Sequence, residues 1–168
     1  MMTIIEDTGQ KVGYHENIKD WCESHGVILR RQKLNVGDYQ SPPRIAVDTK
    51  QGMMEVYSNV VHDHGRFKDE CIRAMEDGIR LVILIEDEEI TSMEEAKNWN
   101  NPLLEKWSAN ITYNKWLKDH GKKAPTKPPV LSSKLVGMMT AMTMKYGVEW
   151  QFCRPKDTGE VIFRILNE

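Results

Sequence analysis

The longest unbroken apolar run in the chain, Leu81-Val82-Ile83-Leu84-Ile85, lies between Arg80 and Glu86. Its length fits a strand, and the lack of polar positions inside it predicts burial on both faces, in the middle of a sheet. Shorter runs predict four more strands at Thr3–Asp7, Val27–Leu34, Ile45–Lys50 and Val148–Cys153, the last alternating apolar and polar positions. Between them, apolar residues recur every three or four positions. Ile18, Trp21 and Cys22 mark a helix from Glu16 to His25 that Gly26 stops. Phe67, Cys71, Ala74 and Met75 mark another from about Val56 to Asp77, closed by Gly78. Leu135, Met138, Met139 and Met142 mark a third from Leu131 to Tyr146, closed by Gly147, and Thr158–Leu166 reads as a fourth. This order predicts an α/β fold with a mixed central sheet flanked by helices.

The pattern loosens from about Asp87 to Ser133, which reads as an insertion. Met93–Lys97, Leu103–Trp107 and Tyr113–His120 fit short helical turns, and Gly121–Pro129 an exposed, linker-like stretch. Trp99, Trp107, Tyr113 and Trp116 stand among lysines here. Such rings either stack unpaired bases while the lysines track phosphates, or pack the insertion onto the domain.

At 168 residues the chain is one domain's worth, residues 1–168 around a single core that buries about two-thirds of the unfolded surface. Cys22, Cys71 and Cys153 are odd in number and sit beside apolar residues, which predicts buried free thiols in a reducing, intracellular (cytoplasmic) setting. The start Met1-Met2-Thr3-Ile4-Ile5-Glu6-Asp7 turns acidic too soon for a signal peptide, and no apolar run reaches the length of a membrane span. A net charge of −2 leaves nucleic-acid binding to a local basic patch and argues against tight non-specific binding.

The candidate chemistry lies in Leu34-Asn35-Val36-Gly37-Asp38-Tyr39 and Ile45-Ala46-Val47-Asp48-Thr49-Lys50, separated by the turn residues Ser41, Pro42 and Pro43. On a strand, Asp48 and Lys50 project to one face and Ile45 and Val47 to the other. Asp38 arrives from a neighbouring strand end. Two carboxylates can hold a hard divalent cation, and a lysine beside them can orient water or neutralise a phosphate. The plainer reading of Asp-x-Lys is an exposed ion pair contributing about 0–1 kcal/mol. Arg30, Arg31 and Lys33 form a basic cluster next to these residues, either a solvated strand edge or a set of phosphate contacts. Asp7, before Thr8-Gly9, either caps a turn or joins the acidic cluster. His62, Asp63 and His64 lack zinc-ligand spacing and read as a polar loop.

These residues resemble the nuclease domain of the XPF-type structure-specific DNA endonucleases, within the PD-(D/E)xK nuclease superfamily. Gly37-Asp38 matches the family's Gly-Asp, and Val47-Asp48-Thr49-Lys50 stands where Val-Glu-Arg-Lys is usual. The carboxylate is one methylene shorter, threonine replaces arginine, and the downstream acid, Glu55, is displaced by one residue. Glu55–Val60, Gly65-Arg66-Phe67-Lys68 and Leu84-Ile85-Glu86 are similar to further family segments, with Glu86 near the cleft.

The resemblance implies a restriction-endonuclease-like sheet and a Mg²⁺- or Mn²⁺-dependent DNA endonuclease acting at branched or flapped DNA. Asp38, Asp48 and Lys50 would be catalytic. Asp38, Asp48, the carbonyl of Thr49, Asp7 and Glu55 would serve the metal, and Arg30, Arg31, Lys33, Arg66 and Lys68 the DNA. Family nuclease domains associate side by side, so the helices near residues 131–146 and 158–167 are expected to form a homodimer. The altered motif keeps a second reading open, a catalytically weak or inactive DNA-binding or assembly module of the same fold. A magnesium-dependent small-molecule hydrolase is a weaker third, since no nucleotide-binding loop is present.

Overall fold

The computed structural model describes residues 2–41, 44–125 and 127–168. Six strands make one sheet: β1 (Thr3–Asp7), β2 (Ile28–Gln32), β3 (Tyr39–Ser41), β4 (Ile45–Gln51), β5 (Arg80–Glu86) and β6 (Glu149–Cys153), in the spatial order β2-β1-β3-β4-β5-β6. β1 is parallel to β2, β3 is antiparallel to β1 and β4, and β4, β5 and β6 run parallel. The mixed, helix-flanked sheet is the expected one. Only β3 is an addition: three residues are too few to display a period of two. The turn expected at Pro42-Pro43 lies outside the described residues.

The helices are α1 (Glu16–Ser24), α2 (Gly52–Tyr57), α3 (His64–Glu76), α4 (Met93–Ala96), α5 (Pro102–Ala109), α6 (Ile111–Asp119), α7 (Ser132–Tyr146) and α8 (Thr158–Leu166). β5 shows how they are distributed. Leu81, Ile83 and Ile85 enter a core with Val56 of α2, Phe67 and Cys71 of α3, and Leu135 and Met139 of α7. Val82 and Leu84 point the other way, into a core with Ile18 and Cys22 of α1 and Ile162 and Ile165 of α8. Alternation along a doubly covered strand thus feeds two cores from one apolar run. All three cysteines are free and buried, and burial pushes the thiols of Cys71 and Cys153 up to about 12 and about 11.

The helix expected over about 56–77 is in fact two. α2 starts at Gly52, one residue after β4, because Gly52 takes φ +75°, the left-handed region that glycine enters at little cost. Ser58–His62 then widens into a π-helical turn, with Asp63 N donating to Ser58 O at 2.8 Å, before α3 begins at His64. The apolar stripe continues through this break, so periodicity alone does not reveal it.

Between β5 and α7 the segment is helical and tied down at discrete points. Ser92 caps α4 by accepting from Glu95 N at 3.1 Å, and Asn101 caps α5 by accepting from Leu103 N at 3.0 Å, ahead of Pro102. Its far end is held by Val130 N donating to Tyr57 Oη at 2.9 Å and Asn101 Nδ2 donating to Val130 O at 3.3 Å.

Candidate active site

Gly37 sets the position of the first acid. Its φ of +72° turns the chain, and a Cβ there would lie 3.0 Å from Val47 O and 3.1 Å from Ala46 Cβ. The backbone can therefore press against β4. Asp38 N donates to Val47 O and Asp7 N donates to Asp38 O, both at 2.8 Å, so Asp38 is sewn between β1 and β4. Its Oδ2 accepts from Thr49 N at 2.8 Å and from Thr49 Oγ1 at 2.7 Å. Thr49 thus orients Asp38 through its amide and hydroxyl.

Asp48 and Lys50 project to the face covered by α3, and they are only 5% and 7% exposed. Lys50 Nζ lies 2.6 Å from Asp48 Oδ2 and 5.8 Å from the centroid of the Phe67 ring. That oxygen is fully buried, and the Lys50 ammonium is its one close partner among the described residues. Burial pushes the Asp48 carboxyl well above the usual range; Lys50 opposes this, and the charges of Asp38 and Glu70 add to it. Burial also works against the Lys50 ammonium, but Asp48 more than compensates and raises its pKa. The pair is a knot of excess negative charge with one internal cation.

Asp38, Asp48 and Lys50 stand where two clefts meet. One, of about 260 Å³, is otherwise lined by Gly9, Gln10, Lys11, Tyr14, Thr49 and Glu55. The other, of about 290 Å³, is lined by residues that include Asp7, Lys33, Asn59, Arg66, Glu70 and Arg73. Among the described residues no three His, Cys, Asp or Glu side chains converge as a ready-made metal cage.

The family model for the ERCC4 domain matches residues 7–165, nearly the whole chain. The chain belongs to the ERCC4 domain family. No curated protein sequence matches it. Among solved structures, this ERCC4 domain is similar to XPF from Aeropyrum pernix, at 17% identity and a TM-score of 0.61, over 98% of this chain and 63% of that one. It is equally similar to the same XPF in complex with DNA, at 18% identity and a TM-score of 0.61, over 99% and 64%. At that identity the likeness speaks for the fold. The ERCC4 domain here spans a little under two-thirds of the length of those chains.

The expected site residues are distributed unevenly in the ERCC4 domain. Glu55 reaches the first cleft but accepts from Gln51 N at 2.6 Å, bracing the turn into α2. Asp7 borders the second cleft, and its oxygens accept from Leu34 N at 2.8 Å, Gly9 N at 3.1 Å and Lys33 Nζ at 3.1 Å, which hold its carboxyl below the usual range against the raising effect of burial. It acts there as a turn cap. Lys33 and Arg66 line the same cleft as the Asp48–Lys50 pair. Arg31 instead pairs with Glu6 at 3.0 Å and donates to Gln10 O at 2.6 Å, while Arg30, on edge strand β2, and Lys68 line neither cleft.

Sequence reading missed Tyr14, Glu70, Arg73 and His15. Tyr14 lines the first cleft, and partial burial together with Glu55, Glu86 and Asp38 raises its pKa from the ordinary phenol value. Glu70 accepts from Gly37 N at 2.9 Å. Its signal was present: a glutamate three residues after Phe67 and one before Cys71 sits on the inward stripe of α3. Glu86 forms a buried chain: His15 Nε2 lies 3.2 Å from its Oε2, His15 Nδ1 2.9 Å from Tyr39 Oη, and Tyr39 Oη donates to Glu6 at 3.2 Å. The Thr158 hydroxyl donates to the other oxygen of Glu86. Nothing in the periodicity of residues 10–15 announces Tyr14 or His15.

Proposed function

We propose that this ERCC4 domain hydrolyses DNA phosphodiester bonds with a divalent cation, Mg²⁺ or Mn²⁺, held by Asp38 and Asp48. The observation that carries the reading is the buried Asp48 carboxylate, whose Oδ2 has only the Lys50 ammonium as a close partner among the described residues, at the junction of two clefts that Asp38 also lines. Hard oxygen donors suit these ions, and Mg²⁺ takes one or two carboxylates while keeping several waters, so a third acid is unnecessary. The Thr49 carbonyl, next to Asp48 on β4, would be a further candidate oxygen donor. A bound cation would supply Lewis-acid polarisation of the phosphoryl oxygens and a more acidic water.

The chain's own residues do the rest. Thr49 fixes the carboxylate of Asp38. Lys50, paired with Asp48 at 2.6 Å, lies in the same clefts, where its ammonium could meet a scissile phosphate or the attacking water. Tyr14 offers a protonated hydroxyl in the same cleft. Lys33 and Arg66, with Arg73, place cationic groups along the second cleft, where a phosphate backbone would run.

A non-catalytic module of the same fold is the second reading. It is favoured by the two Thr49 bonds that already occupy Asp38 Oδ2 and by the internal cation on Asp48. Nicking of supercoiled, forked, flapped and four-way DNA, with and without Mn²⁺, separates the two. Metal-dependent products lost in a folded Asp48→Asn variant are expected; no cleavage of any substrate by pure protein in Mn²⁺ leaves the non-catalytic module.

A further inference from the structure

The segment between β5 and α7 builds something the cleavage site does not use. Its charge is concentrated: residues 99–130 hold six lysines against Glu105 and Asp119, a net +4 in a chain of net −2. Among the described residues none of these lysines takes part in an ion pair. Against this basic segment lies an open, largely apolar cavity of about 650 Å³, whose walls include Tyr57, Leu103, Trp107 and Tyr113 with Lys106 and Lys127, and the amides of Asn110 and Asn114. That volume is within the usual range of ligand sites.

An aromatic row leads out of the cavity along α6. The rings of Tyr113 and Trp116 are nearly parallel, 10° apart with centroids at 6.0 Å, and Trp116 stacks on His120 at 4.3 Å. Lys122 Nζ sits 4.9 Å from the centroid of the Trp116 ring. Tyr113 and Trp116 are 58% and 43% exposed, so the row does not serve the core. Solvent-exposed aromatic side chains in a row, two amides able to meet base edges, and ammonium groups outside any ion pair are the ingredients of a single-strand nucleic-acid platform. A duplex cannot use the row, because its bases are already stacked on one another.

We propose that the α5–α6 segment binds unpaired DNA, with bases stacked along Trp107, Tyr113 and Trp116 and the backbone followed by the surrounding lysines. Helix α2 connects this platform to the cleavage site. It begins two residues after Lys50, and its last residue, Tyr57, with His62 just beyond, lines the cavity. The proposal deepens the nuclease reading and rests on it only for why the unpaired strand is there: as the single-stranded arm of a branched substrate.

The test is fluorescence anisotropy in EDTA, where no cleavage occurs, with labelled oligothymidylate of roughly 15 nucleotides and a duplex of equal length. In the Tyr113→Ala/Trp116→Ala variant, single-strand affinity is expected to fall about tenfold, duplex affinity less than about twofold, and Tyr113→Phe to restore the Tyr113 share. Because both residues are exposed, folding is preserved, which circular dichroism verifies. An unchanged single-strand affinity overturns the proposal, as do equal losses for single strand and duplex, equal competition by polyglutamate, or a clear preference for oligouridylate. Failure of the nuclease reading would look different: single-strand binding would persist while Mn²⁺ produced no nicks.

Discussion

Lys50 and Asp48 form a buried pair whose members cannot be removed singly without consequence. Taking away the lysine leaves an uncompensated carboxylate among Asp38 and Glu70, and breaking buried pairs of this kind costs about 3–5 kcal/mol. Lys50→Met is therefore expected to unfold at markedly lower urea. If Asp38 and Asp48 hold a cation, Mn²⁺ should restore more stability to this variant than to the parent, since about 2.7 kcal/mol follows from ligand at a hundredfold its Kd. Equal Mn²⁺ effects on both proteins would remove Asp48 from the metal site. Asp48→Asn also leaves the buried Lys50 charge uncompensated, so it should lose stability as well as activity by orders of magnitude; a variant that remains folded and fully active would place the chemistry elsewhere. Much of this residue-level picture was legible in the sequence, because Gly-Asp and Asp-x-Lys are local patterns that alternation places on one face. Tyr14, His15 and Arg73 were not, because their importance comes from contacts across the fold.

At the scale of elements, the strands and most helices follow from periodicity, whereas the break between α2 and α3 and the short β3 do not. Both depend on hydrogen bonds made to distant or locally widened backbone. The junction of β5 and β6 offers a clean measurement. Arg80 Nε and Nη2 donate to the two oxygens of Glu149 at 2.7 and 2.8 Å, and Nη1 lies 2.7 Å from Glu168 Oε2. Arg80 thereby holds the Glu149 carboxyl below its ordinary value of 4.5. The folded state then binds the proton less readily than the unfolded one. The stabilisation is thus complete above about pH 4.5 and is lost as pH falls through the folded value. Both side chains are about a third exposed, so solvent screening limits the contribution to about 1 kcal/mol. Glu149→Gln should lower the urea midpoint accordingly at pH 7 and by less at pH 3; an equal loss at both would assign the effect to packing.

For the whole molecule, the homodimer expected from the apolar stripes of α7 and α8 loses its most obvious surface. Leu135, Val136, Met139 and Met142 of α7, and Val161, Ile162, Ile165 and Leu166 of α8, are buried in this chain's own two cores. Met144, 85% exposed, is what α7 leaves outside. Light scattering at micromolar concentration should give a mass near 19.5 kDa, and twice that value would require an interface built on other residues. Among the described residues no helix is long and apolar enough to cross a membrane.

The placement of α8 also bears on how the chain folds in time. α8 packs against α1, Asn17 Nδ2 donates to Pro155 O at 2.8 Å, and Thr158 closes the hydrogen-bonded chain that begins at Glu6. One side of the sheet, with Ile4, Val47, Val82 and Leu84, is thus covered jointly by α1 and α8, which lie far apart in the sequence. Contacts between elements so distant in sequence close long loops and slow folding. A sheet lacking α8 would leave part of that apolar face open to solvent, a form prone to aggregate. A chain cut after Asp157 should accordingly bind a hydrophobic dye and precipitate, and the α8 peptide added in trans should quench that binding. Dye binding no stronger than the intact protein's would mean that α1 alone can seal that side.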